Sequence, residues 1–260
     1  MKTTTKYQRI PEPKNPLVEE VYTEYWKEEK FFLEYLFFHL SRTACDFMNR
    51  APETIIDVAC GRGASSYAYA QTFPEADVIG IDINGKAVEI AKRDYQVKNL
   101  SFRVEDASNL GRYKEQADIV ACFSSMHEFE DLEACLRQIY LALKKDGIFH
   151  FSDVNRNDMS GLHTEPTTRD DITYELGDKF YQLRASLSDE EFVALLQDEK
   201  RLADFFGKRS FAENQWNLVK FSSYAAAYTP EEITEALQVI GFRSIKWIDS
   251  AGFQGYAAKK

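Results

Sequence analysis

The 260-residue sequence has few cysteines, no long apolar run and fewer basic than acidic side chains. Its four cysteines form no C-x-x-C pair, which argues against a disulfide framework or a zinc cluster and favours reduced thiols in the cytosol. No apolar run approaches the roughly 18–20 residues of a membrane-spanning helix, and no apolar segment follows the first residues as in a secretion signal. With 32 Lys and Arg against 42 Asp and Glu, the net charge of −10 disfavours backbone-driven binding to nucleic acid. We therefore expect a cytoplasmic protein with no metal, membrane or nucleic-acid partner.

The N-terminal part, residues 1–50, is predicted to be an arm followed by two helices. Residues 1–14 are polar and contain Pro11 and Pro13. Asn15 and Pro16 suit the cap and the first position of a helix. A second, strongly apolar helix is predicted over residues 31–39.

From residue 54 onward, apolar strands alternate with helices. Continuous apolar strands separated by helices are typical of a mostly parallel sheet that is covered on both faces. The strand near residue 100 alternates apolar and polar side chains instead, as expected at a sheet edge. The helix that begins near Leu132 is predicted to end at residues 144–147. Strands are predicted over residues 54–60, 77–83, 100–104, 117–123 and 148–154.

Residues 155–228 interrupt this alternation with helix-like segments rich in Phe, Tyr and charge. We interpret them as a helical cap inserted into the sheet domain, which consists of residues 51–154 and 229–260. The last segment is predicted to add a helix and a hairpin of two antiparallel strands, 242–249 and 253–259. The fold class is therefore α/β, a Rossmann-like doubly wound sheet that is mostly parallel.

Three carboxylates are predicted at the carboxyl ends of successive strands. Asp57 precedes a turn that contains Gly61 and Gly63, Asp82 ends the second strand, and Asp106 follows the third. These strand ends border one crevice, where α/β sheets bind ligands. The glycines allow backbone amides to approach a ligand, and a carboxylate can accept both hydroxyls of a ribose. The alternatives are a tight turn without a ligand and Asp side chains that only cap helices.

The ligand predicted at this turn is a cationic nucleoside rather than a dinucleotide. The dinucleotide fingerprint G-x-G-x-x-G is incomplete, because Ser66 occupies the third glycine position. Asp57 would also repel a pyrophosphate placed at the turn. These two features disfavour a nicotinamide-dependent oxidoreductase.

The segment Asp57–Gly63 resembles the first motif of the class I S-adenosylmethionine-dependent methyltransferases of the small-molecule type, usually D-x-G-x-G-x-G. The sequence departs from it at Ala59, where glycine is usual. The resemblance covers residues 54–154 and the last thirty, and it implies S-adenosylmethionine as the cofactor. It implies that Asp82 holds the ribose, that Asp106 contacts the adenine amino group, and that Phe123 and Ser124 line the methionine part. The implied cofactor-binding residues are Asp57, Ala59, Cys60, Gly61, Gly63, Asp82, Ile83, Asp106, Ala107, Phe123 and Ser124.

The reaction that this resemblance implies is methyl transfer, and the aromatic side chains of the cap suit a small aromatic or hydrophobic acceptor. A base is needed only where the acceptor must lose a proton, and the candidates are His127 and Glu128, which follow the fourth strand. N-terminal helices often form a lid in this family, so Tyr22 and Trp26 are candidate substrate contacts, together with Asp153 and Arg209. The expected partner is a small-molecule substrate, and a homodimer is left open.

Two further functions remain open from the sequence. Short matches in the cap and near the C-terminus resemble the carboxy-S-adenosylmethionine synthases, which share the fold but transfer no methyl group. A non-catalytic protein that only binds the cofactor is the other alternative.

Overall fold

The structure, a computed structural model, describes residues 10, 13–48, 50–153, 182–207, 209–224, 227–249 and 254–259. Its strands are β1 (Thr54–Val58), β2 (Asp77–Asp82), β3 (Leu100–Val104), β4 (Ala117–Phe123), β5 (Leu143–Ser152), β6 (Arg243–Asp249) and β7 (Gln254–Ala258). They form one sheet in the order β3-β2-β1-β4-β5-β7-β6.

The sheet is parallel from β3 to β5 and ends in an antiparallel hairpin. The pairs β2–β3, β1–β2, β1–β4 and β4–β5 are parallel, whereas β5–β7 and β6–β7 are antiparallel. All seven residues of β4 are buried, because helices cover both faces of a parallel sheet. The predicted α/β fold class, the hairpin and the position of β3 at an edge are confirmed.

The helices are α1 (Pro16–Thr43), α2 (Ala64–Thr72), α3 (Gly85–Asp94), α4 (Leu132–Ala142), α5 (Asp189–Leu196), α6 (Glu199–Phe206), α7 (Phe211–Tyr224) and α8 (Pro230–Ile240). Side chains that accept backbone N–H groups begin several of them. Asn84 caps α3, Asp131 caps α4, and Ser188 with Glu191 forms a capping box at α5. Within the described part of the chain, no helix is long and apolar enough to cross a membrane.

Two predicted boundaries were wrong. The N-terminal region forms one continuous helix, α1, because no Gly or Pro interrupts its 28 residues after Pro16. The helix predicted to reach residues 144–147 ends at Ala142, and β5 begins directly at Leu143. An irregularity near Asp146, whose φ of 62° is left-handed, shifts the register between Leu143 and Ile148. This irregularity hides the start of the strand in the sequence pattern.

The chain divides into two compact units. The first consists of Met1–Thr3, Lys30–Asp153 and Pro230–Lys260, and it contains the sheet. The second consists of Thr4–Glu29 and Val154–Thr229, and its described part is helical. Its apolar core is formed by Val18, Val21, Phe192, Leu195, Leu196, Leu202, Phe206, Leu218 and Val219.

Candidate functional site

The turn after β1 is built around two glycines with different roles. Gly63 has φ 89°, and a Cβ there would lie 2.7 Å from the Phe102 ring and 2.9 Å from Ala91. Gly61 has φ 54°, and a Cβ there would meet no described atom within 4 Å. Gly63 is therefore required for packing, whereas Gly61 leaves the backbone open to a ligand.

Two non-glycine residues near this turn adopt left-handed backbone conformations. Ala59, at the end of β1, has φ 54°, and Ser124, at the end of β4, has φ 51°. The Ser125 hydroxyl donates to the Ala59 carbonyl at 3.3 Å and to the Phe123 carbonyl at 2.9 Å. Strained residues cluster at functional sites, and here they lie at the carboxyl ends of neighbouring strands.

Asp57 is a fully buried carboxylate beneath the glycine turn. Its Oδ2 accepts hydrogen bonds of 2.6 Å from the hydroxyls of both Ser65 and Ser66. Its buried Oδ1 has no hydrogen-bond partner among the described residues. Burial raises the pKa of Asp57 to about 6, opposed by the two serine hydrogen bonds and assisted by the charge of Asp82. The role of the serines was missed in the sequence, although two hydroxyls in the first turn of α2 could have indicated it.

Asp82 links the end of β2 to the glycine turn. Its Oδ2 accepts the Gly61 N–H at 2.7 Å, and its Oδ1 accepts the Asn84 N–H at 2.8 Å. Burial raises the pKa of this carboxyl, and the two backbone hydrogen bonds oppose the rise. A carboxylate has about four acceptor positions, so both oxygens can still accept hydroxyl groups.

An exposed apolar surface lies beside these carboxylates. Ile83 is 71% exposed and Val104 is 53% exposed, and Val104 is the register partner of Asp82. Asp106 is exposed nearby, and its Oδ1 accepts the Ser108 N–H at 2.7 Å. Ala107 follows it, half-buried. Apolar side chains flanked by carboxylates fit a flat ring that carries an amino group.

The remaining cofactor candidates are Cys60, Phe123 and Ser124. Cys60 is buried, and burial raises the pKa of its thiol. Phe123 is buried beside Tyr69, with ring centroids 6.1 Å apart. The Ser124 N–H donates to the Ser152 carbonyl at 2.8 Å, which fixes the end of β4 against β5. The structure thus brings the predicted cofactor residues to one edge of the sheet.

A buried histidine lies between two carboxylates next to this edge. The His127 ring Nδ1 is 2.5 Å from Asp153 Oδ1, and its backbone N–H donates to Asp153 Oδ2 at 3.0 Å. Its Nε2 is 3.4 Å from Glu128 Oε1. Burial alone would lower the pKa of His127, but Asp153 and then Glu128 raise it to about 10.

The other predicted substrate contacts lie in the helical unit. Tyr22 packs edge-on against Trp216 at 5.3 Å between ring centroids. Trp26 is half-buried, and the Arg209 N–H donates to the Gly207 carbonyl at 2.9 Å. Tyr22, Trp26 and Arg209 stay predictions as substrate contacts. The cap residues 155–181 and Lys208 lie outside the described residues.

A family model described as a methyltransferase domain matches residues 50–218 of the chain. The chain therefore belongs to the class I S-adenosylmethionine-dependent methyltransferases, as the first motif predicted. S-adenosylmethionine is the cofactor that this membership assigns to it. The orphaned Asp57 oxygen, the open space at Gly61 and the exposed Ile83 and Val104 fit such a molecule.

Two curated relatives each match less than half of the chain. The malonyl-[acyl-carrier protein] O-methyltransferase of Bacillus anthracis is 29% identical over 110 residues, which are 42% of this chain and 40% of that protein. The demethylmenaquinone methyltransferase of Lactobacillus johnsonii is 31% identical over 103 residues, which are 38% and 42% of the two chains. The matched segments span less than half the length of these two relatives.

Solved structures share the fold over nearly the whole chain. The plantazolicin methyltransferase BpumL, in complex with S-adenosylhomocysteine, has a TM-score of 0.64 at 16% identity, covering 95% of this chain and 91% of that one. An S-adenosylmethionine-dependent methyltransferase described as putative, from Methanococcus maripaludis, has a TM-score of 0.57 at 19% identity, covering 96% and 97%. At these identities the likeness shows the fold alone.

Proposed function

We propose that the protein transfers the methyl group of S-adenosylmethionine to a small aromatic or hydrophobic acceptor. The observation that carries the proposal is the arrangement of Asp57, Asp82 and Asp106 at three strand ends around the open turn at Gly61. The cofactor supplies a methyl group that is already activated by the positive charge on sulfur. The protein must mainly position the acceptor and exclude water.

Each side chain of the edge has a proposed contact with the cofactor. Asp82 accepts the ribose hydroxyls, while Ile83 and Val104 pack against the adenine ring and Asp106 accepts its amino group. The orphaned oxygen of Asp57 accepts the ammonium group of the methionine part. The backbone around Gly61 and Ser124 lines the same part, because a Cβ at Gly61 would meet no described atom within 4 Å and Ser124 is exposed.

The relatives do not fix the acceptor class, which we infer from the aromatic content of residues 155–228. Two curated relatives are named for a malonyl-[acyl-carrier protein] and a demethylated menaquinone. A cytoplasmic location, a small-molecule partner and the absence of nucleic-acid and membrane partners also belong to this proposal. The location rests on the cysteine content, the absence of nucleic-acid partners on the net charge of −10, and the absence of membrane partners on the lack of a long apolar run. The small-molecule partner rests on the resemblance of the first motif.

Transfer of a labelled methyl group tests the proposal. The purified protein is incubated with S-adenosylmethionine carrying a ¹³C methyl and with a fractionated metabolite extract, and products are followed by mass spectrometry. We expect a ¹³C-methylated small molecule and an equal amount of S-adenosylhomocysteine, both lost in Asp82→Ala. Cofactor binding without either product would favour a non-catalytic binding protein. Cofactor consumption without S-adenosylhomocysteine would favour the chemistry of a carboxy-S-adenosylmethionine synthase.

A further inference from the structure

Both ring nitrogens of His127 face carboxylates. Asp153, just after β5, accepts from its Nδ1 and from its backbone N–H, and Glu128, from the same turn, lies against its Nε2. Only 2% of the His127 side chain is exposed. The ring is therefore held inside the protein with both nitrogens engaged.

These contacts favour a protonated ring. An imidazole that faces carboxylates from both nitrogens satisfies both of them only as a cation, with two N–H donors. Its pKa, raised to about 10 by Asp153 and Glu128 against the opposing effect of burial, keeps it protonated at neutral pH. A protonated imidazole has no lone pair and cannot accept a proton from a substrate.

Glu128 is the accessible member of this group. Its side chain is 35% exposed, and its N–H donates to the Ser125 carbonyl at 2.9 Å. Ser125 in turn donates to the Ala59 carbonyl, so the turn that carries Glu128 is fixed to the turn that carries Gly61. Glu128 is thus placed at the edge where the cofactor is proposed to bind.

We propose that Glu128 is the catalytic carboxylate that faces the transferable methyl group, and that His127 is a positioning residue that orients it. This inference rests on the proposed function. It selects acceptors with a proton to lose, such as a hydroxyl or an amine. The acceptor–carbon bond forms, the carbon–sulfur bond breaks with its electron pair kept on sulfur, and the acceptor's proton goes to a Glu128 oxygen.

Two cofactor analogues test where Glu128 points. Sinefungin carries an ammonium-bearing carbon in place of the methylated sulfur, whereas S-adenosylhomocysteine has a neutral thioether there. A carboxylate that faces the methyl position favours the ammonium compound through a charge-assisted hydrogen bond. We expect Glu128→Gln to reduce the preference for sinefungin over S-adenosylhomocysteine about tenfold in calorimetry. Affinity for S-adenosylhomocysteine should be unchanged, which also shows that the variant is folded.

Glu130→Gln is the matched control, because Glu130 is an exposed carboxylate on the same segment. It should leave the preference unchanged. His127→Gln should reduce the preference in the same direction as Glu128→Gln, because it removes the charge that orients the carboxylate. If Glu128→Gln leaves the preference for sinefungin unchanged, the placement of Glu128 at the methyl position is wrong. If His127→Gln leaves it unchanged, His127 does not position Glu128. Failure of the unmodified protein to bind either analogue would instead overturn the proposed function.

The protonation of His127 is tested without any ligand. In protein with ¹⁵N-labelled histidine, His127→Gln identifies the His127 signals among those of the four histidines. We expect both ring nitrogens to remain protonated from pH 6 to pH 9. A titration with a midpoint of about 6.5, the usual histidine value, would overturn the inference and restore His127 as a candidate base.

Discussion

Ala59 and Ser124 hold left-handed conformations that an L side chain disfavours. For alanine this conformation costs about 1–2 kcal/mol. Ala59 lies where the family motif usually has glycine, so the strain is one that the usual residue would remove. Ser125 contacts the Ala59 carbonyl, which helps to keep the strained turn in place.

Replacing Ala59 by glycine is therefore expected to stabilise the protein. Relief of the left-handed strain is partly offset, because the entropy that glycine loses on folding costs about 0.5–1 kcal/mol. The net gain in the free energy of unfolding is then roughly 0.5–1 kcal/mol. The free energy of unfolding in urea measures it. Ala68→Gly, in the interior of α2, is the control and should destabilise by about 1 kcal/mol. Equal losses of unfolding free energy in Ala59→Gly and Ala68→Gly would contradict the strain at Ala59.

Single residues at the edge were predictable from the sequence where spacing alone decides their position. Asp57 lies near the end of β1 and Asp82 ends β2, and parallel strands end at the same edge of a sheet. The contact between His127 and Asp153 was not predictable, because it joins residues 26 positions apart. It depends on the pairing of β4 with β5, which strand order determines and local pattern does not.

At the scale of elements, Asp118 joins the starts of three strands. It is fully buried at the beginning of β4, and its Oδ2 accepts the N–H groups of Glu53 and Thr54 at 2.9 and 3.0 Å. Lys144, in β5, donates to the same oxygen at 3.0 Å, and Arg50 pairs with Oδ1. Burial alone would raise the pKa of Asp118, but donation by Lys144 and by the two backbone amides lowers it.

We expect Asp118→Asn to destabilise the fold by about 2–3 kcal/mol at pH 7, since it leaves charged donors without their acceptor. Because the folded pKa lies below the unfolded value of 3.8, this stabilisation is present above that pH and is lost as the pH falls through the folded pKa. Denaturant unfolding at pH 7 and pH 3 measures the difference between the two proteins. Glu53→Gln, an exposed partner of Lys144, should cost under about 1 kcal/mol. A loss in Asp118→Asn that is as large at pH 3 as at pH 7 would contradict the ionic origin, because the stabilisation should already shrink below pH 3.8.

Elements with a clear apolar pattern were predicted within a few residues. The strand β4 was predicted at its observed bounds, because six of its seven residues are apolar and only Asp118 interrupts the run. The continuity of α1 was not predicted, since its apolar residues belong to two cores. Val18 and Val21 pack in the helical unit, whereas Phe37 and Leu40 pack against the core of the sheet unit. A change of partner core shifts the apolar face of a helix, and in the sequence this shift resembles a break.

At the scale of the whole molecule, cofactor binding is linked to the stability of the fold. A ligand that binds only the folded chain stabilises it by RT ln(1 + [L]/Kd), about 2.7 kcal/mol when its concentration is 100 times Kd. This gain is independent of the acceptor and of catalysis. The gain in the free energy of unfolding therefore reports cofactor binding at the edge that contains Asp57, Asp82 and Asp106. Its measurement does not require the substrate to be known.

S-adenosylhomocysteine at 100 times its Kd should raise the free energy of unfolding by about 2.7 kcal/mol. Asp82→Ala removes the proposed acceptor of the ribose hydroxyls and should weaken binding by about 2–3 kcal/mol, or roughly 100-fold. At the same ligand concentration the ratio to Kd then falls to about 1, and the gain shrinks to about 0.4 kcal/mol. NADH should give no gain in either protein, because Asp57 opposes a pyrophosphate at the turn. An equal gain from NADH would favour a dinucleotide site, and a full gain in Asp82→Ala would place the ribose elsewhere.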